Sequence, residues 1–210
     1  MRNENILIFL VLLASFAYHQ WTSQQERFYP GAIAPAVPVQ RSLSGVEPFS
    51  YKKYTVKPQA AFEIRALVLS AEHYYWGRNS ELVPVDLALG WGPMSDGDVL
   101  KDISISQGNR WYFFSYQRAP IAHGEIISHS GNMHLIPSSP EIEKKIDKVH
   151  KGDTVEFKGY LVNVSADDGW HWNSSLSRTD TGDGSCEVVW VNEFEIIGQI
   201  NYHHLKEGIS

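Results

Sequence analysis

The side chains in this 210-residue sequence whose types suit chemistry fall into three groups. Cys186 is the single thiol, and with His129 or His134 and Asp180 it has the members of a thiol hydrolase. Such a nucleophile needs a histidine within hydrogen-bond reach and a perturbed pKa, and spacing alone supplies neither. Cys186 also leads into Val188-Val189-Trp190-Val191, a strand-like run where a lone thiol serves as a small core residue. His129, Asn132 and His134 form the second group. Metal-binding histidines on one helix face stand three or four residues apart, so five apart misses that face, and no HExxH motif is present. Asp180-Thr-Gly-Asp-Gly-Ser185, with Glu187 beyond it, has the flavour of a calcium loop. Gly182, however, stands where the EF-hand pattern needs its second oxygen ligand, and a glycine-rich hairpin connection explains the same residues. Neither a metal nor another cofactor is expected.

The third group comes from two segments that look irregular. Leu82 to Ser95 contains Pro84, Gly90, Gly92 and Pro93, yet Leu87, Leu89, Trp91 and Met94 are too apolar to hang in water. Such a segment must lie on the domain and draw its polar partners from elsewhere. His129 to Pro137 offers them, Asn132 and His134 being suited to buried backbone and to Asp86. The expectation is one concavity ringed by Asp86, Trp91, His129, Asn132 and His134 and capped by Arg178. It is either a small-ligand site or a buried polar knot that fixes the loops.

The elements that must position these residues are mostly strands. Phe62 to Leu69, Trp111 to Tyr116, Thr154 to Val164, Trp170 to Leu176 and Cys186 to Ile197 read as strands. Gly159 in mid-strand marks a bulge or barrel bend, and Asp168-Gly169 a turn. Short helices fit Ala122 to Ser130 and Ser139 to His150, the latter with Ser138 and Glu141 at capping-box spacing and Gly152 as its stop. Gly97 to Asp102 suits a single helical turn. The reading is α+β and β-dominated: a small curled β-barrel or sheet, OB-like, with one or two short helices.

Residues 1–21 read as a membrane helix. Ile6 to Tyr18 is uncharged over 13 residues. At 1.5 Å per residue it spans roughly 20 Å, which Trp21 at headgroup level extends. A cleaved signal peptide ending near Ser15-Phe16-Ala17 is the competing reading. Residues 22–58 carry Pro30, Pro35, Pro38, Pro48 and Pro58 and read as a tether; the alternative is an ordered coil that wraps the domain surface, which Phe49, Tyr51 and Tyr54 favour for the last ten residues. Residues 59–200 are the globular domain and 201–210 a tail.

Composition narrows the partners. Hydrophobic residues at 43% and charged residues at 20% describe a folded chain, and one cysteine excludes an internal disulfide. Acidic residues outnumber basic ones 24 to 18, for a formal charge of -6. All of that excess lies beyond Gly152, where ten acidic residues face three basic ones, and the remainder of the chain is near neutral. Tyr160, Trp170, Trp172 and Trp190 would suit base stacking, but phosphates require the opposite sign, which argues against nucleic acid.

Asp86-Leu-Ala-Leu-Gly-Trp-Gly-Pro-Met-Ser-Asp96, Ser128-His-Ser-Gly-Asn-Met-His-Leu-Ile-Pro137 and Ser174-Ser-Leu-Ser-Arg-Thr-Asp-Thr-Gly-Asp-Gly-Ser-Cys-Glu187 together resemble a family of bacterial membrane-anchored proteins of uncharacterised function. The resemblance runs from residue 56 to residue 195. It implies a single-pass protein of the bacterial inner membrane with its domain in the periplasm, and it implies no activity. The expectation is a non-catalytic, tethered binding or assembly module for a protein partner or a cell-envelope component. The alternative is an envelope hydrolase using Cys186 with His129 or His134.

Overall fold

The structure, a computed structural model, describes residues 31–177 and 186–200. The expected membrane helix, the tail, Arg178 and Asp180 lie outside these residues. Among the described residues no helix is long and apolar enough to cross a membrane.

The strands are β1 (Val39–Ser42), β2 (Phe49–Tyr51), β3 (Tyr54–His73), β4 (Val85–Gly90), β5 (Ser104–Gly108), β6 (Trp111–Ser115), β7 (Ser130–Pro137), β8 (Asp153–Ser165), β9 (His171–Asn173) and β10 (Glu187–Gln199). Short helices are α1 (Arg78–Leu82), α2 (Gly97–Leu100), α3 (His123–Ser128) and α4 (Pro140–Ile146). The result is a β-dominated α+β fold built on one large curled sheet.

The 20-residue β3 organises that sheet. One edge pairs with β8 along Thr55–Leu67, and the other pairs with β4 along Leu67–His73. A register shift between Val68 and Ser70 bends the strand as it passes from one partner to the other. From β4 the pairing runs to β7, β10 and β8 and returns to β3, so five strands close a circuit. Every pairing in it is antiparallel except β7 with β10. Closure removes open edges from these strands.

The circuit encloses the main core. Phe62 and Ile64 of β3, Leu87 and Leu89 of β4, Met133 and Leu135 of β7, Phe157 of β8 and Val189 of β10 are all buried there. Helix α4 adds Ile142 and Ile146 to the same core. Its cap is Ser139, whose hydroxyl accepts from the Ile142 amide at 3.3 Å, one residue later than the Ser138 expected from sequence. Gly159 faces Phe62 on one side and Val191 on the other, where a Cβ would lie 1.8 Å from the Trp190 carbonyl oxygen.

Three expectations need correction. Leu82 to Ser95 and His129 to Pro137 are not irregular, because they contain the neighbouring strands β4 and β7. All six β4 residues are buried, so the strand shows no exposed alternation. In the described part of the Pro-rich tether, residues 31–58 lie on the barrel. The Ala34 amide donates to Ser95 Oγ at 3.0 Å, β1 pairs with Ala60–Glu63 of β3, and β2 makes a hairpin with the start of β3. Pro35, Pro38 and Pro48 stand outside the paired residues of β1 and β2, where a missing N–H breaks no ladder bond. The strand expected over Trp170 to Leu176 shortens to β9, with Asp168-Gly169 in the turn before it.

The crowding at Gly159 carries a prediction. Gly159→Ala should destabilise the fold by about 1–3 kcal/mol, the usual cost of overpacking, read as a lower midpoint in chemical denaturation. An unchanged midpoint would mean that β8 and β10 are not held at this separation.

Candidate functional site

Strand alternation turns Met133 and Leu135 into the core and leaves Ser130, Asn132 and His134 on the outer face of β7. The β4–β7 register sets Asp86 opposite His134 and Ala88 opposite Asn132. The β5–β6 hairpin covers this face. Gln107 Nε2 donates to Asn132 Oδ1 at 2.7 Å, Asn132 Nδ2 donates to the Arg110 carbonyl at 3.0 Å, and Tyr112 and Ser130 share a hydroxyl hydrogen bond of 2.7 Å. The hairpin turns on Asn109 and Arg110, with φ of 53° and 71°, the left-handed pair that a two-residue turn between twisted strands requires.

That turn delivers Arg110 to Asp86. The guanidinium donates to Asp86 Oδ1 at 2.8 Å, with the carboxylate fully buried. His134 Nδ1 lies 2.9 Å from the same oxygen but off the hydrogen-bonding direction, so it is a close polar approach rather than an aligned bond. Trp172 packs on the His134 ring with centroids 4.5 Å apart. The Arg110 guanidinium lies 3.5 Å from the centroid of the Tyr74 ring, a cation–π contact. The Arg110 amide also donates to the Tyr74 hydroxyl at 3.1 Å. Burial first, then the neighbouring Asp86 charge, push the Tyr74 phenol up to about 12.

Tyr74 is the hinge between this polar cluster and the surface. Its amide donates to the Pro84 carbonyl at 2.8 Å, closing the loop from Tyr74 to Pro84. Gly77, at φ 95°, makes a turn that L side chains resist. Arg78 of α1 grips Asp168 through two hydrogen bonds of 2.5 and 2.9 Å and lies over the Trp170 ring. That grip holds the Asp168 carboxyl well down, at about 2. Leu82 and Val83 anchor the far end in a second apolar cluster with Ile136, Val188 and Trp190. Between these anchors Tyr75 and Trp76 project outward, 76% and 91% exposed. They line a groove of about 620 Å³ whose other walls include Glu81, Glu143, Lys144 and Asp147.

The expected concavity therefore does not form as a whole. Asp86, Asn132 and His134 come together. Trp91 is turned the other way, into the barrel core, because it follows Gly90 on the inward alternation of β4. His129 lies five residues from His134, roughly 17 Å along an extended strand. Its Nδ1 contacts the Glu125 carbonyl and Ser128 Oγ at the end of α3, and its ring packs against Gly92. Cys186 is half-buried, and its carbonyl accepts from the Ser175 amide at 3.0 Å. Among the described residues no set of three or more His, Cys, Asp or Glu side chains is arranged to hold a metal ion.

Sequence reasoning missed Arg110, Tyr74 and Gln107, singled out Trp172 only as a stacking aromatic and not as the partner of His134, and missed the groove. Two signals pointed there. Gly108-Asn109 before the aromatic strand marks a tight hairpin, and Tyr74-Tyr75-Trp76-Gly77 clusters three rings at a strand end. No family model matches the chain, and no similar protein is found among curated proteins or solved structures.

Two outcomes follow from the cluster. Asp86→Ala leaves Arg110 without its buried partner and should cost about 3–5 kcal/mol, read from urea denaturation; a loss within experimental error would show the pair to be dispensable. The second concerns alkaline pH. Tyr74's folded pKa, at about 12, stands above the usual 10, so its contribution is complete below pH 10 and is lost as pH rises through 12. Tyr74→Phe should remove the last-titrating of the affected phenols from the ultraviolet titration and flatten the alkaline loss of stability between those values. A wild-type phenol spectrum complete by pH 11 would contradict the buried placement.

Proposed function

We propose that this protein is a membrane-tethered, extracytoplasmic binding module that presents the Tyr75–Trp76 groove on an OB-like barrel. One observation carries the reading. Two adjacent large aromatic side chains stand almost wholly in water at the lip of a groove, on a loop fixed at both ends. Apolar surface left exposed in this way marks contact surfaces. The groove volume falls within the range of small-molecule and oligomer sites.

The barrel supports the same reading. The circuit β3–β4–β7–β10–β8, with β7 and β10 parallel and α4 between the third and fourth barrel strands, supports the OB-like part of this proposal. OB barrels bind ligands on the face of their second and third strands and with the loop between the first and second. The groove lies on that loop. The β5–β6 hairpin occupies the strand face, which moves binding toward the loop.

The apolar run Ile6 to Tyr18 and the resemblance to bacterial membrane-anchored proteins support a single-pass inner-membrane protein with a periplasmic domain. Its partner in this reading is a protein or another component of the cell envelope. The hydrolase alternative is weaker, since His129 and His134 make their polar contacts at α3 and at Asp86 respectively.

Fractionation and sedimentation test this together. The full-length protein should stay in the carbonate-washed membrane pellet and be cut by protease added to spheroplasts. In detergent it should co-sediment with washed envelope material. Tyr75→Ala/Trp76→Ala should weaken that co-sedimentation about tenfold or more, with unchanged melting, and Cys186→Ser should not. Insensitivity to the double variant would refute the groove as the contact surface, and loss with Cys186→Ser would favour the hydrolase.

A further inference from the structure

We propose that the groove takes a neutral glycan, one sugar ring stacking on the Trp76 indole while its hydroxyls donate to Glu143 and Asp147. This deepens the binding-module reading and rests on it.

The chemistry of the groove walls selects the ligand. Trp76 and Tyr75 offer broad apolar faces with almost no protein over them. A pyranose ring has the matching duality, a face of C–H groups and a rim of hydroxyls, so it can cover an indole while staying hydrogen-bonded at its edge. The opposite wall is α4 and the turn after it, which supply Glu143, Lys144 and Asp147. Glu81 is already engaged, its carboxylate 2.5 Å from Lys53 Nζ. What remains toward the groove is the Glu143 carboxylate, the Lys144 ammonium and the Asp147 carboxylate, which has His73 Nε2 3.8 Å from one oxygen and keeps acceptor capacity on the other. Polyols match such a mixture because every hydroxyl both donates and accepts.

The same walls disfavour the rival ligands. A phosphorylated or polyanionic chain would meet a net negative rim, so stacked nucleotides are opposed by charge even though the rings would accept a base. A polyproline helix would fit the aromatic lip. Its prolines, however, carry no N–H, and their carbonyls would desolvate Glu143 and Asp147 without donating to them. Only a proline-rich peptide that also carries arginine escapes this objection, which makes it the decisive comparison. The loop geometry favours a pre-formed platform: Tyr74 is fixed from both sides, by Arg110 and by Pro84. The stacking rings follow it directly in sequence, so little ordering remains to oppose binding.

The test titrates full-length protein in detergent with three uncharged tetrasaccharides: β-1,4-linked N-acetylglucosamine, β-1,4-linked glucose and α-1,6-linked mannose. Tryptophan fluorescence and calorimetry report binding. At least one tetramer should bind, Trp76→Ala should weaken it about tenfold or more, and Glu143→Gln/Asp147→Asn should weaken it several-fold. Because Trp76 is exposed, its removal should leave the melting temperature in place, which separates lost binding from lost fold. Failure of all three sugars, or binding that survives Trp76→Ala, overturns the glycan assignment. An arginine-containing decaproline peptide that binds instead, and is lost with Trp76→Ala, overturns it while leaving the binding-module reading standing. The failure of that broader reading is seen separately, in envelope co-sedimentation indifferent to the groove variants.

Discussion

A fully buried carboxylate, Asp86, sets the terms for one whole side of this molecule. A charge removed from water must be matched by charge and hydrogen bonds, or the fold loses several kcal/mol. Here the match comes from Arg110, which belongs to a hairpin outside the barrel circuit. The hairpin is therefore tied to the outer face of β4 and β7 by electrostatics as well as by the Gln107–Asn132 and Tyr112–Ser130 hydrogen bonds. Arg110 in turn presents its guanidinium to Tyr74 and its amide to the Tyr74 hydroxyl. One ion pair thus connects a barrel strand, an inserted hairpin and the loop that carries the exposed rings.

The division of labour between the two faces of the sheet follows from closure. The inner face holds an apolar core sealed by Trp91 and α4, with no demand for chemistry. The outer face of the same strands is free to hold polar groups, provided something covers them. Covering it with a hairpin, rather than leaving it open, converts what would be a surface for ligands into a support for the neighbouring loop. Trp172 and Tyr74 flank the covered patch, so β9, the loop after β3 and the β5–β6 hairpin come together around Asp86, Arg110 and His134.

Much of the strand pattern was legible because half-exposed strands advertise themselves. Trp111 to Ser115, Asp153 to Ser165 and the long terminal strand alternate or run apolar, and Gly159 marked the close approach of β8 to β10, beside the register shift that β10 makes after Val191. The central strands were hidden for the opposite reason. Val85 to Gly90 is buried on both faces, and Ser130 to Pro137 alternates with glycine, asparagine and histidine instead of charged residues, so both resembled loops. The Asp86–His134 contact was accessible from residue type alone. Arg110 was not, since nothing in a local sequence says which strand face a hairpin will fold onto. Trp91 was misplaced by one step of alternation, which in a strand is the difference between core and surface.

The central claim is that the Asp86–Arg110 pair holds Tyr74, and through it the ring-bearing loop, in place. Amide hydrogen exchange on the Asp86→Asn/Arg110→Gln double variant measures this directly, since it removes both charges together and leaves neither stranded. The Tyr74 amide, bonded to the Pro84 carbonyl, should lose protection by about tenfold or more relative to the barrel, while the β8 and β10 amides keep theirs. Unchanged protection at Tyr74, or an equal loss throughout β8 and β10, would contradict the account.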